Sequence, residues 1–157
     1  MNGDLKSIFE TLAAWKEGRK LRIEISQLVK EFPKSEEYRL KDQMIRSSRS
    51  ITANIAEGYG RYHFKENIQF CRQSRGSVYE LLEHLYVALD EQYITEEKFN
   101  YFRNKINDLI KIINGYISYL KNKSNQKSTE LTDSRYSPHS PHSPHSTHSP
   151  KKNGGKK

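Results

Sequence analysis

The sequence predicts an all-α protein, an antiparallel up-down-up-down four-helix bundle followed by a disordered C-terminal tail. Three observations point there. Four segments place apolar residues at three- and four-residue steps, the stretches between them are short, and the composition breaks abruptly after Lys123. Steps of three and four bring side chains onto one helix face, and short connectors force consecutive helices to lie antiparallel. No segment shows the strict alternation of a strand. Residues 1–123 are therefore read as the bundle and 124–157 as the tail.

The first stripe is Leu12, Trp15, Gly18, Leu21, Ile25, Leu28 and Phe32, and Pro33 stops it. Proline has no amide hydrogen to donate and biases the preceding residue away from helix. Ser35 is the expected N-cap of the second helix, with Glu36 and Glu37 favourably placed against its dipole. Its stripe runs Leu40, Met44, Ser47/Ser48, Ile51 and Ile55, with an exit at Gly58. The third stripe is Phe64, Ile68, Cys71, Ser74, Val78, Leu81, Leu85 and Ala88/Leu89. Thr95 caps the fourth, which carries Phe99, Phe102, Ile106, Leu109, Ile113, Tyr116/Ile117 and Leu120. Each helix is expected to span roughly 22–30 residues, or about 35–45 Å.

Composition agrees with a domain plus a tail. The apolar share of the whole chain is only 34%. Without residues 125–157, whose apolar members are Leu131 and Tyr136, it rises to about 41%, or about 46% with glycine, an ordinary globular value. The tail also carries half of the formal charge of +8, which leaves the folded part mildly basic. Anionic partners fit that balance without being required by it. Cys71 is the only cysteine, so neither an intrachain disulfide nor a multi-cysteine zinc site can form. The start, Met1 to Lys6, lacks the apolar run of a signal peptide, and no stretch approaches the ~20 apolar residues of a membrane span. A cytoplasmic protein with no membrane partner is expected.

The tail repeats Ser-Pro-His three times over 137–145. Proline at every third position excludes helix, and too little apolar surface is present to offset ordering entropy. His139, His142, His145 and His148 recur at three-residue steps and could wrap a metal only weakly. The Ser-Pro dipeptides could accept phosphate.

Beside the apolar stripe of the second helix runs a polar one: Gln43, Arg46/Ser47, Ser50, Asn54, Glu57 and, past the turn, Arg61. Small residues among them (Ser47, Ser48, Ser50, Ala53, Ala56) would let another helix approach closely. Two readings stand. One is a hydrogen-bonded layer where two helices or two subunits meet, since buried polar groups must satisfy one another. The other is a contact surface for a ligand or nucleic acid.

The run Ser50-Ile51-Thr52-Ala53-Asn54-Ile55-Ala56-Glu57-Gly58-Tyr59-Gly60-Arg61 resembles the signature of the rRNA intervening-sequence proteins, a four-helix bundle family. Flanking matches include Phe32-Pro33, Glu37-Tyr38-Arg39-Leu40, Gln43-Met44-Ile45-Arg46, Phe70 and Arg75 to Leu81. The likeness spans about Phe9 to Leu120 and leaves out the Ser-Pro-His tail. It implies a bacterial protein, encoded in or related to intervening sequences of large-subunit ribosomal RNA genes, that assembles as a ring-shaped homopentamer. A related branch, the accessory proteins of diversity-generating retroelements, is similar in binding a reverse transcriptase and nucleic acid. Ser47 and Ser48 depart from the small apolar residues more usual at those places. The resemblance makes Gln43, Ser50, Asn54, Glu57 and Gly58 signature positions of structural or interface character.

Basic residues recur in helical pairs, Arg46/Arg49 and Arg72/Arg75, with Arg61 and Lys65 nearby. Arginine and lysine contacts to phosphate supply most non-specific nucleic-acid affinity, and Tyr59 and Tyr62 in the turn could stack on unpaired bases. Alternatively Arg46 or Arg75 pairs with Glu57 or Glu80, and the remainder face solvent. Catalysis finds no support. His63 and His84 would sit some 30 Å apart on one helix, Cys71 falls on an apolar stripe, and Gly58-Tyr59-Gly60 is too short to cradle phosphate. No catalytic residue, cofactor or metal ligand is expected. Two functions remain. One is a homo-oligomeric bundle associated with ribosomal or other structured RNA. The other is an adaptor for a nucleic-acid-processing protein.

Overall fold

The computed structural model describes residues 8–133. Four helices, α1 (Ala13–Leu28), α2 (Leu40–Gly60), α3 (Phe64–Asp90) and α4 (Glu96–Asp133), follow one another through short connectors. Cross-helix contacts fix their directions. On α2 and α3, Ser50 meets Ser77 and Ser74 donates to the Ile51 carbonyl at 2.8 Å. On α3 and α4, Asn67 reaches Tyr116 while Tyr86 packs on Phe99. Glu24 of α1 accepts from Lys105 of α4 at 2.8 Å, and Glu31 pairs with Lys98. Residue numbers rise along one helix as they fall along its neighbour, so the bundle runs up-down-up-down.

The predicted stripes form its core. Ile25, Met44, Ile51, Ile55, Cys71, Val78, Leu81, Leu85, Ile106 and Ile113 are fully buried. Trp15, placed on the first stripe, is only half-buried and lies edge-on to Phe9. Ser47 and Ser48 are also buried, and each returns its hydroxyl to the carbonyl three residues back, Met44 and Ile45 respectively. That local bond satisfies the hydroxyl and lets serine stand at an apolar position.

Several boundaries differ from the sequence reading. Ser35 caps nothing: residues Lys34–Glu36 form a separate 3₁₀ turn, and α2 begins at Leu40, whose amide donates to the Glu36 carboxylate. Thr95 does cap α4, accepting from the Lys98 amide at 3.2 Å. Gly58 is not an exit, because α2 continues to Gly60. α1 is shorter than expected, at 16 residues, giving way to a 3₁₀ turn before Phe32 and Pro33. α4 is longer, at 38 residues, and carries on past Lys123 through part of the expected tail. No proline or glycine interrupts 124–133, and Lys127 packs over the Tyr62 ring, so nothing ends the helix earlier. The Ser-Pro-His repeat lies outside the described residues. Among the described residues no helix is long and apolar enough to cross a membrane.

Candidate nucleic-acid interface

The polar stripe of α2 is largely a seam against α3. Asn54 Nδ2 donates to the Ser50 carbonyl at 2.9 Å and to Ser50 Oγ at 3.0 Å. Ser50 Oγ lies 2.9 Å from Ser77 Oγ, which itself donates to the Gln73 carbonyl at 3.3 Å. With the Ser77 proton committed to Gln73, Ser50 is the donor across the gap, and the chain of bonds closes without an orphan. Gly58 shows why the helices come so near. A Cβ there would fall 2.8 Å from Phe70 Cβ and 2.9 Å from Asn67 Oδ1. Buried Asn67 completes the seam, donating to the Tyr116 hydroxyl at 3.2 Å and accepting from the Cys71 thiol at 3.4 Å. Burial pushes that thiol up to about 11.

Gln43 stands apart from this seam. It lines a recess between α2 and α3 with Arg46, Ser47, Ser50, Glu80 and His84. Within the recess His84 Nε2 is buried, 3.7 Å from a Glu80 oxygen.

The six basic residues singled out in the sequence do not gather on one surface. Arg46 faces the α2–α3 recess, with Asp42 3.7 Å away. Arg49 turns to the opposite side of α2 and lines a groove against α1. Arg61 pairs with Glu57 at 2.5 Å and lies over the Phe70 ring, 5.0 Å from its centroid. Arg75 donates to Asn114 of α4 at 2.6 Å. Arg46 and Arg75 thus meet Asp42 and Asn114 rather than Glu57 or Glu80.

Lys65 and Arg72 do come together. Seven residues apart, they lie about two turns from each other on the same face of α3. They line a groove of about 430 Å³ with Ile68 of α3 and Lys121, Ser124 and Asn125 of α4. Among residues with described side chains, no carboxylate lies within ion-pairing distance of Lys65, Arg72 or Lys121. Lys121 was not among the sequence candidates because it belongs to no helical arginine pair, and only the packing of α4 on α3 brings it to the other two.

Two exposed aromatic rings stand at the same end of the bundle. Tyr62 is 83% exposed, with Lys127 Nζ 5.6 Å from its ring centroid. Tyr119 is 54% exposed and has Lys123 above it at 6.0 Å. The surrounding sequence is one-sided in charge. Residues 61–75 and 109–127, which meet at this end of the bundle, hold Glu66 as their only acid against eight lysines and arginines. Residues 76–108, toward the opposite end, contain seven acids and three basic residues. Charge is therefore divided lengthwise along α3 and α4, with the basic share at the end that carries the α3–α4 groove.

A solved structure similar to this chain is that of a protein of unknown function from the S23 ribosomal protein family of Bacteroides thetaiotaomicron VPI-5482. The two superpose with a TM-score of 0.62 at 21% identity, covering 67% of this chain and 95% of the other. At that identity the likeness carries the fold. No curated protein matches the chain. The model of the 23S rRNA-intervening sequence proteins matches residues 10–115, covering all of α1, α2 and α3 and the first half of α4, signature stripe included. By that match the chain belongs to the 23S rRNA-intervening sequence protein family.

Proposed function

We propose that this protein is a non-enzymatic, self-associating helical bundle that binds structured RNA, ribosomal RNA being the first candidate, through the α3–α4 groove. The observation that carries the reading is the grouping of Lys65, Arg72 and Lys121 around a groove with no carboxylate among its described lining residues. Ammonium and guanidinium groups so placed are available to phosphate oxygens, and each contact releases condensed counterions from the nucleic acid. The exposed ring of Tyr62, in the turn at the same end of the bundle, offers a face on which an unpaired base could stack. Membership of the family gives the RNA reading its setting. A bacterial cytoplasm is the compartment in which we expect it to act.

The test is binding of a structured ribosomal RNA fragment to the full chain across a salt series. Neutralising Arg72 and Lys121 to glutamine should weaken binding and lower the salt slope by about 0.7–0.9 per lost phosphate contact. Arg46→Gln, on another face, should leave the slope nearly unchanged. An equal loss per residue from Arg46→Gln would show that the groove is not the binding surface.

Self-association as a ring, with five copies the expected number, is the second part of the reading. It is supported by the groove of about 720 Å³ between α1 and α2, where Phe9, Trp15, Ile23, Ala53 and Ala56 face outward. Sedimentation at micromolar concentration tests it, and a strictly monomeric profile removes it. The same apolar groove favours one alternative, an adaptor that seats a nucleic-acid-processing protein there. In that case the groove arginines would matter to partner capture, and the α3–α4 lysines would not.

A further inference from the structure

The outer face of α3 changes character along its length. Its first half presents Lys65 and Arg72. Its second half presents Tyr79, Glu83, Tyr86, Val87 and Asp90, at steps of four, three, one and three, which fall on one side of a helix. Tyr79, Tyr86 and Val87 are 53%, 38% and 37% exposed, and so form an apolar strip in water. Acids flank it. Just before the strip, a Cβ built on Gly76 would meet nothing within 4 Å, so a second backbone has room to approach.

The groove between α1 and α2 is its complement. It is lined by Trp15, Ile23, Ala53 and Ala56 together with Arg22 and Arg49, and no carboxylate is among its described lining residues. Arg22 is held in place by a 2.8 Å bond from Nη1 to Thr52 Oγ1. The two surfaces cannot meet within one molecule, because α1 packs on α2 and α4 while the outer face of α3 turns away from both α1 and the core.

We propose that the acidic, apolar strip of α3 in one copy docks in the arginine-lined α1–α2 groove of the next. This deepens the self-association part of the proposed function and rests on it. Glu83 and Asp90 then face Arg49 and Arg22, while Tyr79, Tyr86 and Val87 cover Trp15 and Ile23, in the manner of an amphipathic helix laid in a groove. The occupant is a second copy because the chain carries both complementary surfaces, of opposite charge, on different helices. Such a contact joins unlike patches, so it propagates head to tail and yields a closed ring when the rotation per copy closes. The basic half of α3, and with it the Lys65–Arg72–Lys121 groove, lies outside the contact.

The experiment is sedimentation velocity on the full chain and three variants over a concentration series, with circular dichroism confirming the helical fold. Arg49→Glu and Glu83→Arg both alter exposed helix positions. Each alone should weaken assembly at least about tenfold by placing like charges face to face. The double variant R49E/E83R reverses both partners at every contact and should recover assembly to within a few-fold of the wild type. A monomeric wild type would overturn the self-association reading, and this inference with it. An assembling wild type whose single variants also assemble would leave self-association standing and overturn the proposed interface. Folded double-variant protein that fails to reassemble would do the same.

Discussion

Gly58→Ala tests how tightly α2 and α3 are pressed together. The added methyl carbon would sit 2.8 Å from Phe70 Cβ, 2.9 Å from Asn67 Oδ1 and 3.2 Å from the Asn67 carbonyl oxygen. Two of those atoms are close to or part of the α3 backbone, so no flexible side-chain tip can move aside and the helices themselves must part. Forcing a methyl into a packed seam costs about 1–3 kcal/mol. Against this, alanine in a helix interior is favoured over glycine by about 0.8–1.0 kcal/mol. Gly115→Ala supplies the reference, since a Cβ there meets nothing within 4 Å and gains the propensity alone. The two variants should therefore separate by about 1–3 kcal/mol, with Gly115→Ala the more stable. Urea unfolding followed by circular dichroism, at one protein concentration throughout, measures that gap. It should appear as a shift in midpoint with little change in slope. Equal stabilities, or a Gly58→Ala protein more stable than Gly115→Ala, would refute the close-approach argument.

Two further outcomes follow from the same structure. Gln92, in the turn between α3 and α4, holds a φ of 59°, and the Tyr93 amide bonds back to the Ala88 carbonyl at 2.8 Å. Gln92→Gly should stabilise the protein by about 1 kcal/mol in thermal unfolding, because glycine carries no Cβ penalty in the left-handed region. The Cys71 thiol, raised to about 11 by burial, should resist a thiol reagent at pH 8 and react only as fast as the protein opens. Its native proton is retained where the unfolded thiol has lost its own. Stability should therefore decline as pH rises from the ordinary thiol value of 9.0 toward 11, and Cys71→Ala should remove that part of the decline. Rapid labelling of the native protein would contradict the burial.

The arginines show where sequence reading stops. Arg46 and Arg49 are three positions apart, a spacing that ordinarily puts two side chains on neighbouring parts of one face. In the bundle that face straddles the ridge of α2, and the two end in different grooves, one against α3 and one against α1. Nothing local distinguishes them, because which side of a ridge belongs to which groove depends on where the neighbouring helices pack. Lys121 is the converse. No helical pairing marks it in the sequence, and it joins Lys65 and Arg72 only because α4 returns alongside α3. In the sequence, Gly58 marks a helix exit on the strength of the glycine alone. Packing of Phe70 and Asn67 against it gives it a different task within the helix.

By itself the sequence determined the number of helices, their buried faces, the cap at Thr95 and the family signature. Each of these depends on residues within a few turns of one another, and three- and four-residue periodicity records such relations directly. Tertiary structure alone decided which polar residues are seam and which are surface, and it alone revealed the lengthwise division of charge along α3 and α4. It also showed that α4 continues past Lys123, where Lys127 packs on Tyr62 from the turn after α2. Those properties belong to pairs of residues dozens of positions apart. Their pairing is set by how ridges of one helix fill the grooves of another, a geometry that no single stripe contains.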